Sequence, residues 1–170
     1  MESTLERTLI IFKPDALQRG IVGEILSRFE KVGLKIVGMK MLTPDRSHLH
    51  HHYETIGTLK TRKGDEIFEM TLKAMLDAPL IAVVLEGVEA AEVVRKMVGP
   101  TEPKSSAPGT IRADYAHMSY NRSNQLKQAI PNVIHASGDA KEAHQEIAHW
   151  FRNDELFDYK TLHQIYTHGE

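Results

Sequence analysis

The chain has 170 residues, 41% hydrophobic and 26% charged, with no cysteine. It is long enough to bury a continuous core unaided, and it offers no thiol nucleophile, thiolate zinc site or disulfide scaffold. Lys and Arg number 21 against 23 Asp and Glu, a formal net charge of -2, so non-specific attraction to nucleic acid or anionic membrane is not expected and any anion site must be local. The opening MESTLERTLIIFKPD lacks the basic region and long apolar core of a signal peptide. No stretch reaches the roughly 18 apolar residues of a membrane helix, and cytoplasm is the expected location, without a membrane partner.

The predicted elements begin with a buried strand at RTLIIF, residues 7–12, stopped by Lys13 and Pro14. A helix follows in IVGEILSRFEKVG, with Val22, Ile25, Leu26, Phe29 and Val32 at helical spacing and Gly33 as its C-terminal cap. LKIVGMKML returns as a strand. PDRSHLHHHYETI and GDEIFEMTLKAML read as two helices, the second with Ile67, Phe68, Leu72, Met75 and Leu76 on one side. LIAVVLEG is a strand, VEAAEVVRKMVG a helix, NVIHAS a short strand and AKEAHQEIAHWF a last helix. The Pro-rich GPTEPKSSAPGTIR reads as a long functional loop rather than a domain boundary. One domain is expected over residues 1–170, with a core of about 6–151 and a C-terminal extension over 152–170. Without the inserted helix pair the order is βαββαβ, an α+β ferredoxin-like antiparallel sheet with helices on one face. That fold decides nothing about function.

Neither a P-loop nor a G-x-G-x-x-G turn is present, so any phosphate must be held by side chains. Lys13, Arg95, Thr101 and Arg112 supply a point charge, two guanidinium forks and a hydroxyl, a set suited to a di- or triphosphate, although any one of them alone reads as a surface charge. His135 ends an apolar strand and is followed by the small Ala136 and Ser137, which leave a reactant room to approach the ring. Glu146 borders the apolar stripe Ala143, Ile147 and Trp150 of the next helix, where it can turn back, fix the tautomer of His135 and strengthen it as a nucleophile. A hydrogen-bonded core histidine is the alternative. In HLHHHY, residues 48–53, His48 and His52 share a helical face at metal-ligand spacing. The run has neither the Glu of H-E-x-x-H nor an evident third ligand, and it is expected to be a solvated face, with Tyr53 able to point into a cleft.

Together, ERTLIIFKPDALQRGIVGEILSRFE, GLKIVGMKML, VVLEG, VRKMVGPTEP, APGTIRADY, NVIHAS and EIAHWF resemble the nucleoside diphosphate kinase family, in family order and over most of residues 6–151. The resemblance implies ping-pong transfer of the γ-phosphoryl group from a nucleoside triphosphate such as ATP to a nucleoside diphosphate, with Mg²⁺ bridging the nucleotide phosphates. It also implies a homo-oligomer, a hexamer in preference to a tetramer. Matched position by position, His135 is the nucleophile, phosphorylated on Nδ1; Glu146 orients its ring, Ser137 sits beside them, and Tyr53 packs near the ring. Lys13 and Asn132 match the residues that reach the sugar hydroxyls and phosphate, and Arg95, Thr101 and Arg112 match the phosphate clamp.

Three departures from the family pattern stand out. The segment between Tyr53 and Pro79 is longer than usual and puts Ile67 where a phenylalanine normally stacks on the base. Phe68 is adjacent, but one helical step turns a side chain by about 100°, so contact from Ile67 would have to suffice. A second insertion near NRSNQLKQAI, residues 121–130, precedes Asn132 in a loop that usually helps build subunit contacts. The usual HGSD reads HASG, so Gly138 stands at the aspartate's position and Asp139 comes one later. The rivals to a kinase are a nucleotide-binding regulatory protein of the same fold without turnover, and a histidine-dependent phosphatase.

Overall fold

The computed structural model describes residues 4–168; the ends of the expected 1–170 domain, residues 1–3 and 169–170, lie outside the described residues. Strand β1, Leu5–Phe12, is buried over its last five residues, as a strand covered on both faces must be. Its side chains alternate with the two-residue period of a strand: Ile10 and Phe12 enter one core, Leu9 and Ile11 the other. Pro14 ends the strand and opens a short helix, α1 (Pro14–Gln18), where a missing N–H does no harm. Helix α2 (Val22–Lys31) buries Ile25 and Phe29, and Gly33 closes it at φ +90°, a conformation glycine adopts without penalty.

Strands β2 (Lys35–Leu42), β3 (Leu80–Val88) and β4 (Ile134–Ala136) complete one antiparallel sheet in the order β2-β3-β1-β4. Helix α6 (Ala90–Val98) shares a core with α2: Val94 and Val98 join Ile25, Phe29, Ile10, Phe12, Val83 and Leu85 in the first core. These are the two helices of the βαββαβ unit, on one face as expected.

The opposite face is covered by what the unit leaves over. Leu9, Ile11, Val37, Ala82 and Val84 pack against Leu49 and Tyr53 from the inserted segment, Phe68, Leu72 and Met75 of α5 (Asp65–Leu76), and Trp150 and Phe151 at the end of α9 (Ala140–Trp150). The inserted segment is more broken than two helices. Helix α3 (Arg46–His50) runs into a π-helical turn, His51–Ile56, and a further short helix, α4 (Leu59–Lys63), starts after Thr58 at φ +50° and stops at Gly64 at φ +87°.

The expected loop after α6 also carries helices, α7 (Ile111–Tyr115) and α8 (Tyr120–Gln125). Each is opened by a hydroxyl side chain that accepts from a backbone N–H, Thr110 from Ala113 and Ser119 from Arg122. Beyond Phe151 the chain runs along the β2 edge. Phe157 N–H donates to the Val37 carbonyl at 2.7 Å, and Lys35 and Lys40 pair with Asp158 and Glu155 at 2.7 and 2.8 Å. A last helix, α10, spans Gln164–Thr167. No helix among the described residues is long and apolar enough to cross a membrane.

Candidate active site

β4 lies against the end of β1, with His135 opposite Ile11. Asp139 then caps α9 by accepting the Glu142 N–H at 2.8 Å, and the helix turns Ala143, Glu146 and Trp150 inward. Glu146 does not merely border the apolar stripe; it is itself buried. The Nε2–H of His135 donates to Glu146 Oε1 at 2.9 Å, with Oε2 at 3.1 Å. The buried Ser137 hydroxyl donates to Oε2 at 2.5 Å. The carboxylate thus fixes the ring as its Nε2–H tautomer. Nδ1 keeps its lone pair and has no hydrogen-bond partner among the described residues, and the side chain is 18% exposed.

The cations gather around the corner that leads into β4. Lys13 Nζ donates to Asn132 Oδ1 at 2.6 Å, and Asn132 Nδ2 donates to the Thr101 carbonyl at 2.8 Å. Arg112 is buried, and its guanidinium donates to the carbonyls of Ile134 at 2.6 Å, Gly99 at 3.0 Å and, more weakly, Asn132 at 3.4 Å. Between Asn132 and Ile134, Val133 is held at φ +62°, a strained conformation for a β-branched residue. Its N–H donates to Asp15 Oδ2 at 3.1 Å, and its carbonyl accepts the Lys13 N–H at 3.0 Å. That clasp ties the approach to His135 onto the end of β1.

Burial, followed by the charges of Lys13, Arg112 and Arg95, lowers the His135 pKa to about 3, against a smaller opposing pull from Glu142. The imidazole is therefore neutral throughout the physiological range. Burial and Arg112 bring Lys13 down to about 8, and burial and Arg95 bring Arg112 down to about 10; both stay cationic near pH 7. Burial raises the Glu146 carboxyl. Tyr53 is buried with its ring 6.4 Å from that of His135, and its hydroxyl has no partner among the described residues. A buried orphan donor beside a free nucleophile is a place for a ligand oxygen.

The structure thus brings Lys13, Tyr53, Arg112, Asn132, His135, Ser137 and Glu146 into one neighbourhood, and Arg95 acts on it through charge. Thr101 is exposed and enters the network by its carbonyl. Phe68 is core and Ile67 is 37% exposed, which removes Ile67 from the expected apolar stripe and leaves it, not Phe68, free to meet a base. A Cβ at Gly138 would meet only the Glu142 carboxylate, the far end of a flexible side chain that can move aside, so the fold does not demand glycine there.

The solvated face expected for His48 and His52 does not form. His52 is 1% exposed, its ring 4.7 Å from that of His135, because the π-helical turn and the packing of Leu49 and Tyr53 carry it inward. His48 instead stacks on His149 at 3.9 Å. The described residues whose ligand atoms come near enough to share a metal ion are His52, His135 and Glu146. Those atoms already hold hydrogen bonds, so the cluster reads as a hydrogen-bond relay. His52, Trp150 and Asp15 are the working residues missing from the sequence reading. The signal for His52 was the inward pair Leu49 and Tyr53, which brackets it on a helix.

The family model for nucleoside diphosphate kinase matches residues 6–156. The nucleoside diphosphate kinase of Pyrococcus furiosus is 48% identical over 155 residues, 91% of this chain and 88% of that one. That of Borreliella burgdorferi is 44% identical, over 92% and 93% of the two chains. A solved transition state mimic of the Borrelia burgdorferi enzyme, with bound vanadate and ADP, superposes with a TM-score of 0.93 at 41% identity, over 97% of this chain and 98% of that one. The halophilic enzyme of Halobacterium salinarum in complex with CDP gives 0.79 at 34% identity, over 95% and 97%.

Proposed function

Because the chain belongs to the nucleoside diphosphate kinase family, and so is a phosphotransferase acting on nucleoside di- and triphosphates, we propose that His135 is the group that carries the phosphoryl between them. The Nδ1 lone pair attacks the γ-phosphorus of a nucleoside triphosphate such as ATP, and the bond to the β–γ bridging oxygen breaks as the diphosphate leaves. A second diphosphate then takes the group from Nδ1 through its terminal oxygen. The observation that carries this reading is the division of labour on one ring: Nε2–H is engaged by Glu146, while Nδ1 is unpartnered. Glu146 offsets the positive charge the ring acquires as the N–P bond forms, and Ser137 steadies that carboxylate.

Lys13, Arg95 and Arg112 supply the fixed positive field that phosphoryl transfer requires, and Tyr53 offers its orphan hydroxyl to a phosphate or sugar oxygen. Thr101 and Asn132 complete the cleft wall toward the nucleotide. The vanadate–ADP and CDP complexes of the Borrelia and Halobacterium relatives support nucleotide substrates here. Mg²⁺ belongs to the nucleotide: the cluster of metal-ligand side chains, His52, His135 and Glu146, lies on the Nε2 side of the ring, away from Nδ1. On the phosphates the ion would neutralise charge in step with the three cations.

A homo-oligomer fits the exposed apolar residues of β2 and the C-terminal segment, Met39, Met41, Leu162, Ile165 and Tyr166, and a hexamer in preference to a tetramer is what the family resemblance implies. The reading is of a single cytoplasmic domain over residues 1–170. Incubation with γ-labelled ATP and Mg²⁺ tests the mechanism. Acid-labile, alkali-stable label should appear on the protein, be absent from His135→Ala, and chase onto added diphosphate. No label at all would favour the nucleotide-binding regulator, and label lost to water the phosphatase.

A further inference from the structure

Behind the reactive ring lies a second imidazole. His52 is fully enclosed, and its Nδ1 accepts the Trp150 Nε1–H at 3.1 Å. The same Nδ1 lies 3.5 Å from Glu146 Oε1, the oxygen that accepts the His135 Nε2–H at 2.9 Å. Two imidazoles therefore face one carboxylate oxygen, and only one of them donates to it. We propose that His52 is a positioning residue for His135: the Trp150 indole holds it as an Nε2–H tautomer that shows Glu146 a lone pair instead of a proton, which reserves the carboxylate for the nucleophile.

An indole nitrogen only donates, so the atom it meets must be a lone pair, and a neutral imidazole then has its single proton on Nε2. Burial, first, and the neighbouring His135 keep His52 well below the ordinary imidazole range, so the ring does not escape this constraint by taking a second proton. Without the indole N–H, His52 Nδ1 could carry the proton and donate it to Oε1. Glu146 would then be shared, and His135 would lose the bond that fixes its tautomer. A His135 ring with its proton on Nδ1 has no lone pair at the atom that must attack phosphorus. The indole thus acts at a remove from the chemistry, with His52 and then Glu146 between it and the His135 ring.

The proposal rests on His135 as the phosphoryl carrier, and the test separates the two. Full-length wild type, Trp150→Phe and the double variant Trp150→Phe/His52→Phe are compared by single-turnover labelling with γ-labelled ATP and by ¹⁵N NMR of the histidines. Trp150→Phe should slow labelling about tenfold, the scale of one net hydrogen bond, and raise the Nδ1–H fraction of His135. The double variant, which removes the competing donor, should recover the rate and the Nε2–H signal. A double variant slower than the single, with His135 still Nε2–H in both, would mean simple packing and overturn the proposal. Wild-type NMR decides independently of how the variants fold, since an Nδ1–H signal from His52 overturns it outright. Absence of label from the wild type sinks the carrier reading instead.

Discussion

Arg112 was expected to be a phosphate clamp, yet in the folded chain its guanidinium is spent on the backbone, which makes Arg112→Lys a sharp test. The side chain is 4% exposed and donates to the carbonyls of Gly99, Asn132 and Ile134 at 3.0, 3.4 and 2.6 Å. A lysine retains the charge, but its single nitrogen cannot span three acceptors on two segments. At least two buried carbonyls lose a charged donor, each worth about 1.5–3 kcal/mol, so the variant should lose about 3–5 kcal/mol. For a chain of this size that is a fall in Tm of roughly 10 °C. Urea and thermal unfolding at fixed protein concentration measure it, with turnover at saturating nucleotide alongside. Stability within about 0.5 kcal/mol of wild type, the usual range for an inconsequential substitution, together with lost activity would refute the reasoning and put the guanidinium on the nucleotide alone.

Tyr53→Phe removes a buried hydroxyl with no partner, so it should stabilise the free protein by about 1 kcal/mol while lowering kcat/KM by about tenfold; unchanged kinetics would leave the hydroxyl without a ligand role. His48, His52, His135 and His149 all have folded pKa values below the ordinary 6.5, burial being the leading cause. The unfolded chain therefore takes up protons first as pH falls below 6.5, and stability should drop from there toward about 4 for His48 and about 3 for His135. Glu142 and Glu146, raised above the ordinary 4.5 by burial, act in the opposite sense; a urea midpoint that is flat or higher at pH 5.5 than at pH 7.5 would show that they win. Phe68→Ala should cost about 3–5 kcal/mol as a core deletion, whereas Ile67→Ala should leave the unfolding midpoint unchanged and raise the nucleotide KM; the reverse pattern would exchange their assignments.

The elements legible in the sequence are those with a long apolar period: β1, β3, α2 and α6 declare themselves through runs or stripes that become the two cores. What escaped follows another logic. Helices α1, α7 and α8 are five or six residues long and rest on a proline or a hydroxyl cap, too short for any period to register. His135, Ser137 and Glu146 could be paired in advance because a strand end and an inward helix face converge on them. His52 had a signal in the inward pair Leu49 and Tyr53, but its approach to Glu146 was not legible, since the π-helical turn breaks the 3.6-residue register on which the solvated-face expectation depends. Arg112 was visible as a cation, but whether it faces solvent, phosphate or carbonyls depends on β4 and the Gly99 turn closing around it.

The low basicity of His135 looks at first like a handicap for a nucleophile. Burial first, and then Lys13, Arg112 and Arg95, pull its pKa down, and a less basic nitrogen attacks phosphorus less readily. A shuttle, however, must unload as easily as it loads. The weaker the N–P bond, the better imidazole leaves when the second nucleotide attacks, so a depressed basicity brings the two half-reactions toward balance. The same three cations act in the opposite sense on the transition state, where they offset charge spread over the transferring oxygens. Glu146 restores part of the lost nucleophilicity through Nε2–H, and it does so in both directions. Neutralising Arg95, whose guanidinium makes no hydrogen bond among the described residues, should therefore slow loading and unloading together, because it acts on the transition state common to both. Single-turnover rates measured in each direction read this directly. A variant in which loading quickens while unloading slows would mean that basicity, not charge stabilisation, is what the cations control.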